Sequence, residues 1–97
     1  MVTVFAVLDR KTNNIEFVKD ALGSYDFKRW LATNFLRKGS ILALYAEDFD
    51  VYRLFDVNPE TRTLNSDSPF QLVCNVSDLF DEFKIARPDL ARSSDEA

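Results

Sequence analysis

The sequence predicts an α+β domain: a small, mainly antiparallel sheet, one long helix packed on it, and a short C-terminal helix. Three observations lead there. Residues 2–8 (Val-Thr-Val-Phe-Ala-Val-Leu) are apolar at nearly every position. Residues 27–35 carry an apolar stripe at three- and four-residue spacing, the period of one helix face. Residues 49–57 alternate between apolar and polar, the period of a strand.

Residues 2–8 read as a strand covered on both faces, because a solvated face would show polar residues at every second position. Asp9-Arg10-Lys11-Thr12-Asn13-Asn14 is a polar turn, and residues 15–18 return as the second strand of a hairpin. Gly23 breaks the chain. Ser24 offers an N-cap hydroxyl to an orphan amide of the first helical turn, and Asp26 suits the positive end of the helix dipole. Phe27, Trp30, Leu31, Asn34 and Phe35 line one stripe of a helix of about four turns. Arg37 and Lys38 suit its negative end, and Gly39 is a natural C′ residue.

Residues 40–46 fit either a short helical turn or a buried strand. In 49–57, strict alternation sets Phe49, Val51, Phe55 and Val57 on one face and Tyr52 and Leu54 on the other. Asn58-Pro59-Glu60-Thr61 is a turn with proline at a favoured position. Residues 62–64 and 69–74 supply partner strands. Ser77 caps a last helix with Asp78 in its first turn, Leu79, Phe80 and Phe83 to bury, and Pro88 to end it. Residues 1–87 thus form a single globular domain, and 88–97 a mobile C-terminal tail.

Apolar residues make up 46% of the 97, too many for a disordered chain. Cys74 is the single cysteine and histidine is absent, so no internal disulfide forms and a reducing cytoplasm is the expected location. The first apolar run is too short to span a bilayer and lacks the basic flank of a signal peptide, so no membrane partner is expected. A domain this small gains from an added interface, and a two-fold homodimer is the simplest form. The net charge of −4 divides unevenly: residues 1–46 carry seven Lys/Arg against four Asp/Glu, and residues 47–97 five against twelve. Overall acidity argues against indiscriminate coating of DNA.

No enzyme is expected. Without histidine the common catalytic dyads and triads are missing. Cys74 shares an apolar face with Phe70 and Leu72, the place of a buried hydrophobe more than of a nucleophile. Gly23 and Gly39 are the sole glycines, so no glycine-rich phosphate loop exists and no cofactor is implied. Glu47, Asp48 and Asp50 form a carboxylate knot. It lacks the glycine and terminal glutamate of a calcium loop, so it reads as a solvated strand entrance or a charge partner for the basic half, not a metal site.

The candidate binding residues are Arg10, Lys11, Lys28, Arg29, Arg37 and Lys38, interleaved with Tyr25, Trp30 and Phe35. Single-stranded DNA suits such a mixture, because phosphates pair with cations and bases stack on rings. The plainer reading makes Trp30 and Phe35 core and the cations ordinary surface. Arg29 projects opposite the apolar stripe and is free to bind.

Several of these segments carry a family pattern. A short strand runs into an Asp-x-Lys turn at Val7-Leu8-Asp9-Arg10-Lys11. A helix with Arg and an aromatic at its middle follows at Lys28-Arg29-Trp30. Glu47-Asp48-Phe49-Asp50-Val51-Tyr52 then leads through a strand to the turn Asn58-Pro59-Glu60-Thr61-Arg62. In these features the chain resembles the small nonstructural protein of gokushovirus-type microviruses, phages with single-stranded DNA genomes. Ala46 stands where that family has proline, and Phe55 and Arg62 where it has glycine. The resemblance spans most of residues 4–80 and is dense at 47–61. It implies a phage accessory protein that binds DNA, single-stranded above all, during genome replication or packaging in the host cytoplasm, with no catalytic residue to carry over. The alternative is a non-enzymatic adaptor that docks a phage or host replication protein, or a capsid protein, through its acidic half.

Overall fold

Backbone pairing orders the molecule around one antiparallel sheet. The computed structural model describes residues 1–65 and 69–88; most of the expected C-terminal tail lies outside them. Strands β1 (Val2–Asp9) and β2 (Asn14–Ala21) form the hairpin expected at Asp9 to Asn14. Strand β3 (Phe49–Asn58) lies along the other side of β1. Its outer edge is shared by β4 (Thr63–Asn65) at one end and β5 (Gln71–Asn75) at the other. The lanes therefore run β2, β1, β3, then β4 and β5 end to end.

Helix α1 (Ser24–Leu31) continues into a π turn over Ala32–Leu36. The single turn α2 (Ile41–Leu44) resolves the ambiguity of residues 40–46 in favour of helix, capped by the Ser40 hydroxyl, which accepts from the Ala43 amide at 3.3 Å. A 3₁₀ turn (Ala46–Asp48) leads into β3, and α3 (Asp78–Glu82) is the last of the described elements. One face of the sheet carries all of this. Phe5 and Val7 of β1 and Phe49 and Val51 of β3 pack in a single cluster with Phe27 and Leu31 of α1 and Leu79 and Phe80 of α3. The Phe5 and Phe27 rings stack with centroids 4.9 Å apart.

Several expectations need correction. Gly23, in extended conformation, occupies the N-cap of α1; Ser24 is the first helical residue and makes no capping bond. Ser77 does sit at the N-cap of α3, but its hydroxyl donates to the Asn75 side chain instead of capping. That helix stops at Glu82, where the left-handed Lys84 (φ +55°) ends it well before Pro88. The π turn changes the stripe of the long helix. An extra residue in the turn brings Ala32 and Leu36 into the core behind Phe27 and Leu31, while Phe35 moves to the flank, half-buried, and stacks on Phe17 at 5.4 Å.

Bulges alter the strands in the same manner. Val4 lies opposite Phe55 but Phe5 opposite Arg53, so Leu54 is an extra residue in β3. Side chains directly opposite share a face, and one inserted residue reverses the alternation beyond it. Phe49, Val51 and Arg53 therefore face the helices, whereas Phe55 and Val57 join Tyr52 on the opposite face. Val73 is a second insertion: Cys74 lies opposite Val51 on the helix side while Leu72 lies opposite Tyr52 on the other. Cys74 and Leu72 do not share a face.

Candidate functional site

The charged residues answer one another within the chain. Arg10, in the turn after β1, lies 3.6 Å from Asp50 and donates to the Glu47 carbonyl at 3.1 Å. Lys11 lies 3.5 Å from Asp48. The carboxylate knot is thus the counter-charge of the hairpin turn. Lys28 meets Glu82 of α3 at 3.0 Å, and Arg37 donates to the Phe83 carbonyl at 3.4 Å. Arg29 lies 3.6 Å from Asp26 and over the Tyr25 ring at 5.9 Å; Tyr25 in turn packs on Phe83. Lys38 is exposed in the turn that ends at Gly39 (φ +67°). The six cations therefore divide between the acidic knot, where Arg10 and Lys11 sit, and the surroundings of α3, where Lys28, Arg29 and Arg37 gather beside Asp26 and Glu82. Five of the six already hold an acid or a carbonyl of their own chain. Trp30 and Phe35 pack on the core and on Phe17, and Lys19 covers the Trp30 ring at 4.9 Å.

The face of the sheet turned away from the helices has another character. Its cross-strand rows follow from the register. Val2, Val57 and Leu64 form one row. Asp20, Val4 and Phe55 form the next, then Val18, Ala6, Tyr52 and Leu72, and last Ile15, Leu8, Asp50 and Asn75. Ile15, Val18, Leu64 and Leu72 are 49, 54, 60 and 61% exposed, and Phe70, whose ring lies 6.5 Å from Tyr52, is 57% exposed. Ala6 and Leu54 are buried yet stand outside the helix-side cluster. Lys19 and Arg53, strand cations opposite Phe5, point to the helix side, where Arg53 pairs with Asp56. The charges in these open-face rows are acidic: Asp20 on the edge strand, and Asp50, which accepts from the Asn75 amide at 2.8 Å and faces Arg10.

This face escapes a residue-by-residue reading of the sequence, because residues 2–8 look like a strand covered on both sides. The described residues contain one long helix, and one helix layer covers one face. That imbalance was the available signal.

Cys74 packs against the core, and burial pushes its thiol up to about 11, so it is protonated at neutral pH and a poor nucleophile. Among the described residues no three His, Cys, Asp or Glu side chains converge as a metal ion would require, and no helix is long and apolar enough to cross a membrane. No protein-family model, curated protein or solved structure matches the chain.

Proposed function

We propose that the protein is a non-enzymatic protein-binding module whose working surface is the open face of its sheet. One observation carries this reading: a face of the antiparallel sheet that no described helix covers and that has apolar residues in each of its rows, with Asp20, Asp50 and Asn75 as its polar members. An antiparallel sheet with one face in water normally alternates apolar and polar residues. Here Val2, Val4, Ala6 and Leu8 of β1 all lie on the uncovered side. Contiguous apolar surface of this kind marks an interaction site. It is the adaptor alternative of the sequence, moved from the acidic half to the sheet.

The nucleic-acid reading draws on the same cations that the fold pairs internally. A phosphate would have to displace Asp26, Asp48, Asp50 or Glu82 from Arg29, Lys11, Arg10 or Lys28. The open face does offer the rings of Tyr52 and Phe70 for stacking, but its rows bring carboxylates, not cations, beside them. Fluorescence anisotropy of a labelled single-stranded oligonucleotide across a salt series separates the two readings. Three or four phosphate contacts give a slope of roughly −2 to −3 in log affinity against log salt. The expected result is no such binding at low salt. A slope in that range that flattens in Arg29→Ala would transfer the function to nucleic acid.

A further inference from the structure

We propose that the open face is filled by a second copy of this chain, stacked sheet on sheet about a two-fold axis with both helix layers outside. The inference rests on the reading of that face as a binding surface and adds the occupant.

The first argument is the pattern of β1. Phe5 and Val7 meet the helices, while Val4, Ala6 and Leu8 face away, and all five are apolar. Such a strand is composed for burial on both sides. The described helices lie on the first side, so the second side is left without a covering layer among the described residues, and a copy of the same sheet supplies one of the same shape and chemistry.

Area is the second argument. Strands of eight residues at about 3.4 Å per residue, four lanes wide at about 4.8 Å per lane, make a face of roughly 27 by 19 Å, on the order of 500 Å² in flat projection. Accessible area exceeds projection on a corrugated surface, so the face approaches the roughly 800 Å² per partner of a standard stable interface. Sheets stack about 10 Å apart with strands within about 30° of each other, and the single apolar layer on each copy provides that spacing.

Charge is the third. Asp50 is already held by Arg10 and Asn75, so covering it strands no unpaired carboxylate. Asp20 lies on the edge strand β2 and stays in the rim. An isologous stack thus needs no counter-charge from its partner, whereas a phosphate-bearing ligand would meet repulsion here.

Sedimentation equilibrium of the full chain, from low to high micromolar, tests the proposal with the variants Val18→Lys and Leu72→Lys. Both positions are more than half exposed in the single chain, so each variant should keep its fold, checked by far-ultraviolet circular dichroism. The expected result is a wild-type dimer whose dissociation constant rises at least about tenfold in each variant, because a lysine must be desolvated at a dry interface. A dimer untouched by both lysines overturns the proposal by placing contact elsewhere. A dimer broken by Val18→Lys alone also overturns it, because that pattern belongs to edge pairing along β2. A wild-type monomer at high micromolar overturns it too. In that last event an apolar fluorescent dye separates the two levels: dye bound by the wild type and lost in the lysine variants leaves the protein-binding surface standing with a different occupant, and no dye bound removes both.

Discussion

Two residues show how local chemistry shaped the chain. Arg62 holds φ +58° in the β3–β4 turn, where its amide donates to the Asn58 carbonyl at 2.8 Å and the Asn58 side chain accepts from Glu60 at 3.1 Å. A side chain in the left-handed region costs about 1–2 kcal/mol, a cost that glycine escapes. Arg62→Gly should therefore stabilise the protein by about 1 kcal/mol, less what glycine's freer unfolded state returns, read as a higher urea midpoint at unchanged m-value. Cys74 is the second. Its thiol sits at about 11 instead of the ordinary 9.0 because burial disfavours the thiolate. Between those values the folded state keeps a proton that the unfolded state has released. Stability should fall as pH rises through 9 and level off above 11, a trend missing from Cys74→Ser. At pH 8 alkylation by iodoacetamide should be slow until denaturant is added. The turn at Asn58 was legible in the sequence because Asn-Pro favours turn initiation; arginine itself carries no turn signal, so the left-handed conformation at Arg62 showed only through the glycine that the resembling family has at that position.

At the scale of elements, the strands, the long helix and the start of the terminal helix stand where the periodicities put them. The faces do not, and in three places the cause is a single inserted residue. Leu54 reverses β3, Val73 separates Cys74 from Leu72, and the π turn exchanges Phe35 for Leu36 in the core. Bulges leave no compositional mark, so a reading by strict alternation passes over them. The π turn has a local brace: the Asn34 side-chain amide donates to the Trp30 carbonyl at 2.8 Å. Asn34→Ala should cost about 1 kcal/mol by removing that bond, measured by chemical denaturation. Leu31→Ala, which empties a fully buried position between α1 and the sheet, should cost about 3 kcal/mol in the same assay. An equal cost at both sites would mean that the helix does not pack through Leu31.

Over the whole molecule, the charge asymmetry of the sequence folds onto itself. Cations of the first half find carboxylates of the second at Arg10–Asp50, Lys11–Asp48 and Lys28–Glu82. These pairs, each with at least one solvent-exposed partner, contribute on the order of 1 kcal/mol or less each, yet they occupy the groups that a phosphate backbone would need. What remains unanswered within the described chain is apolar: the open face of the sheet. The six candidate cations could be named from the sequence, but their partners lie far along the chain and become visible only in the fold. The open face is a property of layers, not of any one residue. Methyl-resolved NMR over a dilution series of the wild type tests its role most directly. The resonances of Val4, Leu8, Ile15, Val18 and Leu72 should shift with concentration as the face is covered, while those of Val7, Leu31 and Val51 on the helix side stay fixed. Shifts confined to the helix side, or an open face whose methyls never respond to concentration, would contradict the account.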